Sequence, residues 1–69
     1  MVKTQELDNK IEASGLKISF IIQKLGISRT GFDKKRKGQT PFRVPEIYVL
    51  SDLLRLTEDE KMDIFYSES

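Results

Sequence analysis

The chain has 69 residues, 38% of them hydrophobic and 33% charged, with a net charge of +1. It contains no cysteine and no histidine, which excludes disulfides, thiolate chemistry, the usual neutral-pH general base and the commonest zinc ligand. No apolar run approaches the ~20 residues of a membrane span, and the opening MVKTQELDNK lacks a signal-peptide core, so the expectation is a cytoplasmic protein with one small domain over residues 1–69.

Short breakers divide the chain into five helix-length pieces. The first runs from about Thr4 to Ser14, with Thr4 as N-cap, Gly15 as its stop, and Leu7 and Ile11 at i, i+4 marking the inner face. The second runs from about Ile18 to Leu25 and stops at Gly26. Ile18, Ile21, Ile22 and Leu25 give it a wide apolar stripe, with Phe20 at the side. The third begins after Ser28, a good N-cap, and ends near Lys37, before Gly38. Its one large apolar residue is Phe32, so this polar helix must lie on the surface, pinned by Phe32 and by Ile27 in the preceding turn.

Residues 39–44 read as a loop whose Phe42 and Val44 are expected to return to the core. Pro45 suits the first turn of a fourth helix running to about Leu54, with Ile47, Leu50, Leu53 and Leu54 facing inward. Thr57 and Glu60 form a capping box that opens a fifth helix, which runs to about Tyr66 and is buried through Ile64 and Phe65. No segment alternates as a strand would, so the expected class is all-α.

Charge is unevenly spread along this frame. Residues 1–16 carry −1. Residues 17–43 hold Lys17, Lys24, Arg29, Lys34, Lys35, Arg36, Lys37 and Arg43 against Asp33 alone, a balance of +7, and residues 44–69 carry −5. One basic segment between acidic ones points to a polyanion partner. The run KKRK, residues 34–37, also has the composition of a nuclear address, but it lies inside a helix. Glu58, Asp59, Glu60 and Asp63 open a helix rather than an irregular metal-binding loop, so capping explains them and no metal or other cofactor is expected. Without histidine, cysteine or a phosphate-cradling loop, enzyme activity is not expected either. Tyr48, Met62 and Tyr66 read as surface residues on their helices and as candidates for a dimer contact.

The strongest constellation is helix, Gly26, Ile27, Ser28, helix. Two short helices joined by a tight glycine-containing turn define a helix-turn-helix, here spanning about residues 17–37. The stretch LKISFIIQKLGISRTGFDKKRKGQTPF, residues 16–42, resembles the helix-turn-helix of phage repressor and Cro proteins, the lambda-repressor-like domains. The first helix ending in ASG and the segment VPEIYVLSDLLRLTEDEKMDIFY are similar to the small five-helix phage regulators of Gram-positive hosts, so the likeness covers nearly the whole chain. It implies a compact five-helix DNA-binding domain acting in the cytoplasm of a bacterial host cell.

By that resemblance, helix 18–25 is the scaffold and residues 28–37 the recognition helix. Lys17, Ser28, Arg29, Thr30, Asp33, Lys34, Lys37 and Arg43 fall where DNA, or a protein partner in its place, would be met. Arg29 would read guanine and Thr30 a thymine methyl, while Lys17, Lys24, Lys34, Lys35, Lys37 and Arg43 would mostly hold phosphates. The chain departs from the family pattern at six positions. Ile22 stands where a small residue is usual, and Lys17 and Ile18 stand where a capping hydroxyl and a glutamine are usual. Arg36 lies where an apolar anchor is expected, Gly31 lies inside the helix, and Asp33 puts a carboxylate on the DNA-facing side.

Two functions follow from the resemblance. One is a transcriptional regulator that binds double-stranded operator DNA, with a weak homodimer as the expected assembly. The other is a modulator of repression, which pairs with the phage repressor protein and alters its DNA binding in the lysis–lysogeny switch.

Overall fold

Among residues 2–66, which the computed structural model of this protein describes, all regular secondary structure is helical. The helices are α1 (Thr4–Ser14), α2 (Ile18–Leu25), α3 (Arg29–Arg36), α4 (Val44–Leu53) and α5 (Glu58–Tyr66). Each packs on two others, in a closed ring: α1 on α3, α3 on α2, α2 on α4, α4 on α5, and α5 back on α1. The body measures 28 × 23 × 20 Å. No helix in this span is long and apolar enough to cross a membrane.

Every element supplies the centre of the ring. Leu7 and Ile11 come from α1, Ile21 from α2, Phe32 from α3, Ile47 and Leu50 from α4, and Ile64 and Phe65 from α5. Leu54 joins them just beyond α4, and Phe42 closes one end from the loop, its ring standing edge-on to Phe65 with centroids 5.5 Å apart. Edge-to-face contact is a favoured geometry for two aromatic rings. Ile18, Ile22, Leu25, Ile27 and Leu53 are half-buried around this centre.

Three local expectations change. Thr4 is already helical and Lys3 holds the cap position without a side-chain bond. The entry to α1 is fixed instead by a tertiary bond, the Lys3 N–H donating to the Ile64 carbonyl at 2.8 Å. Val44 does not return to the core. It is the first residue of α4 and stays 55% exposed, and Phe42 is the loop residue that reaches the core. Leu53 is half-buried rather than enclosed, since α4 ends at that residue. The capping box at Thr57 does form, with the Thr57 N–H donating to Glu60 at 2.8 Å and the Glu60 N–H to the Thr57 hydroxyl at 3.1 Å.

Three helix ends close with one pattern, in which a residue two or three past the helix donates back to a carbonyl five residues earlier. Ile27 donates to Ile22 after α2, Gln39 to Lys34 after α3, and Leu56 to Ser51 after α4. The motif requires a left-handed residue just before that donor. Gly26 (φ 70°) and Gly38 (φ 81°) meet the requirement at no steric cost, but after α4 the position is held by Arg55, at φ 55°.

Candidate nucleic-acid interface

The α2–α3 junction occupies three residues. Gly26 turns the chain, Ile27 packs half-buried against the core, and Ser28 takes an extended conformation (φ −78°, ψ 161°) that redirects the backbone into α3. The Ser28 hydroxyl accepts from the Gly31 N–H at 3.0 Å. A Cβ on residue 31 would lie 3.1 Å from that oxygen, so the absence of a side chain at Gly31 lets the cap close tightly.

Successive residues of an α-helix turn by about 100°. With Phe32 fully buried, the opposite arc of α3 carries Thr30, Asp33 and Lys34, with Lys37 continuing it at the cap, and Arg29 borders that arc in the first turn, about 60° around the helix from Phe32. Arg29, Thr30, Lys34 and Lys37 are exposed. Asp33 is half-buried because its own helix covers it, with Arg29 Nε 3.6 Å from its carboxylate on one side and an Arg36 terminal nitrogen 3.3 Å away on the other. The expected carboxylate on the outer face is thus bracketed by two guanidinium groups.

Arg36 takes the place of the missing apolar anchor. Its guanidinium lies 5.8 Å from the centroid of the buried Phe32 ring and reaches Asp8 of α1 at 3.8 Å. The stem thereby packs while the charge stays paired, as long cationic side chains allow. Lys35 is the exception among the expected phosphate contacts. It points toward α4, where its ammonium lies 2.6 Å from both carboxylate oxygens of Glu46, with only 12% and 9% of the two side chains exposed. Glu46 also accepts from the Arg43 N–H at 2.8 Å, closing the first turn of α4. Burial pushes the Glu46 carboxyl up, but Lys35 and the Arg43 N–H together outweigh it and hold the group below the usual carboxylate range.

The remaining expected residues lie at the margins of this helix pair. Lys17 is exposed at the start of α2, and Arg43 is exposed at the start of α4, in a depression it shares with Leu25, Gly26 and Ile27 of the α2–α3 turn. Lys24 lies 5.4 Å from the Phe20 ring centroid at the side of α2. Among the described residues, Lys17, Lys24, Lys34, Lys37 and Arg43 form no ion pair. The Lys35–Glu46 link had one signal in the sequence, a glutamate three residues into a helix. Comparison of the chain with protein-family models, curated proteins and solved structures finds no match.

Proposed function

We propose that this chain is a helix-turn-helix transcriptional regulator of the phage repressor and Cro type, binding double-stranded operator DNA with the outer arc of α3. The observation that carries the reading is that arc. Arg29, Thr30, Lys34 and Lys37 stand exposed on a helix held from beneath by Phe32, and Lys34 and Lys37 have no carboxylate partner among the described residues. In this reading α2 is the scaffold helix, the first turn of α3 reads bases in the major groove, and Lys17, Lys24, Lys34, Lys37 and Arg43 hold phosphates. Regulation is steric, by occupancy of a promoter. Pairing with a repressor instead would call on Asp33 to meet a partner's cation, and Arg29 and Arg36 already occupy that carboxylate.

Five phosphate contacts give a plot of log K against log salt a slope of about −4 to −5. Replacing Lys34 or Lys37 with Ala is expected to reduce the slope by about one each, whereas Lys35→Met leaves it unchanged. Arg29→Ala is expected to remove the preference for the cognate operator over random duplex. Titrations of labelled duplex at several salt concentrations measure all three. A flat salt response of the native chain would sink the reading.

A further inference from the structure

Away from α3, six large apolar side chains among the described residues stand in solvent, Phe20 of α2 (38% exposed) and Val49 of α4 (36%) least so, and the other four form two pairs. Val44 and Tyr48 are one turn apart on α4, 55% and 61% exposed, and Met62 and Tyr66 are one turn apart on α5, 49% and 43% exposed. The two pairs adjoin across the α4–α5 seam. Val44 and Tyr66 line a cavity of about 260 Å³ with Phe42, Ile47 and Phe65, and the Lys61 ammonium of α5 lies 4.6 Å from the Tyr48 ring centroid. Single exposed apolar residues are ordinary, but a contiguous strip is the mark of an interaction surface.

Carboxylates border the strip. Asp52 follows Tyr48 by one turn, and Glu58 and Asp59 precede Met62 by one turn, all three exposed. Asp52 and Asp59 have no cationic partner among the described residues, and Glu58 reaches only Lys61, at 3.1 Å. No Cα of α3 comes within 8 Å of one of α5, and although Gly38 and Thr40 of the loop after α3 border the cavity, the strip itself lies on α4 and α5 and its proposal does not depend on the assignment of α3 to DNA.

We propose that the α4–α5 face docks a basic amphipathic helix of a partner protein. The apolar side of that helix lies on Tyr48 and Met62, one of its large side chains enters the cavity beside Val44 and Tyr66, and its cations meet Asp52, Glu58 and Asp59. Charge selects this occupant over a second copy of the chain. Face-to-face pairing brings the same set of carboxylates from both copies to one interface, and docking onto another copy's basic α3 is heterologous, building a ring or an open filament rather than a two-fold dimer. The anchor pattern fits a helix: two pairs of apolar side chains, each one turn apart, match the few anchors of a helix laid in a groove.

The probe is a synthetic peptide of about 18 residues, long enough to hold a helix, with leucines along one face and lysines flanking them. It is titrated into the isotope-labelled full chain beside two controls, a scrambled peptide of the same composition and a counterpart with glutamate for lysine. The expected result is amide shifts confined to α4 and α5, with both controls binding about tenfold more weakly or not at all. Tyr48→Ala and Met62→Ser, each checked to keep the native amide spectrum over α1–α3, weaken the peptide by about tenfold. Asp52→Asn with Asp59→Asn weakens it several-fold and flattens its salt dependence. Equal binding by the scrambled peptide, shifts centred on α1 or α3, or indifference to Tyr48→Ala would overturn the proposal. So would self-association of the native chain through this face, abolished by Tyr48→Ala, since that assigns the face to a second copy.

Discussion

Arg55 is the one residue other than glycine with positive φ among those described. Its Cβ crowds the neighbouring carbonyl, at a cost of roughly 1–2 kcal/mol relative to the right-handed conformation. The same hydrogen-bond pattern ends α2 and α3 with glycine in that place. Arg55→Gly is therefore expected to stabilise the protein by about 1 kcal/mol, allowing for the greater freedom of an unfolded glycine. Urea denaturation should show a higher midpoint at unchanged slope. Nothing in the letters LLRLTEDE marks residue 55 as left-handed, because the usual sign of such a turn is the glycine itself. At Gly26 and Gly38 that sign is present, and the ends of α2 and α3 are legible from it.

Between elements, the Lys35–Glu46 pair ties α3 to the start of α4. Both side chains are almost enclosed, so removing one partner leaves a charge without compensation, a loss of about 3–5 kcal/mol for a fully buried pair. The two substitutions are not equivalent. Glu46→Leu strands the Lys35 ammonium and also frees the Arg43 N–H, and is expected to cost about 3 kcal/mol. Lys35→Met leaves Glu46 with that N–H and the positive end of α4, and should cost about half as much. Thermal or urea unfolding of the two variants measures the difference. Helical periodicity does place Lys35 near the inner side of α3, since Phe32 lies three residues before it. Its partner stands beyond a loop whose return path no local pattern encodes, and so Lys35 reads from sequence like its neighbours Lys34 and Lys37. Val44 is misread because it opens α4 rather than ending the loop, and the face it takes is set by that helix. The five helices themselves are legible because each has a cap or breaker at one end at least (Gly15, Gly26, Ser28, Pro45 and Thr57), and all but α3 show apolar spacing as well.

For the molecule as a whole, the ring closes at α1 and α5, elements far apart in sequence. Lys3 pairs with Asp63 at 2.8 Å, Lys10 pairs with Glu60, and the Lys3 N–H reaches the Ile64 carbonyl. Lys3 holds the Asp63 carboxyl below its ordinary range, and Lys10, with the Thr57 N–H, does the same to Glu60. Carboxyl groups depressed on folding contribute stability that is fully present above their unfolded pKa values, about 4, and lost as pH falls through the folded values. Glu46 acts in the same direction. The Lys3 ammonium, raised by Asp63, contributes below its unfolded pKa of about 10.4 and loses that contribution as pH rises through the folded value. Stability followed by circular dichroism is therefore expected to fall below about pH 4, and Asp63→Asn with Glu60→Gln should flatten the acid limb.

The bracketing of Asp33 by Arg29 and Arg36 makes any encounter at the head of α3 an exchange rather than an addition. An anion that recruits Arg29 must first displace a carboxylate 3.6 Å away. An exposed pair of this kind is worth about 0.3–0.5 kcal/mol, so the threshold is low but never absent. A single passing phosphate recovers little more than it displaces, whereas a rigid acceptor pair that engages the guanidinium at two points gains a second bond. The helix thus carries its own competitor, and the weakest visitors lose most to it.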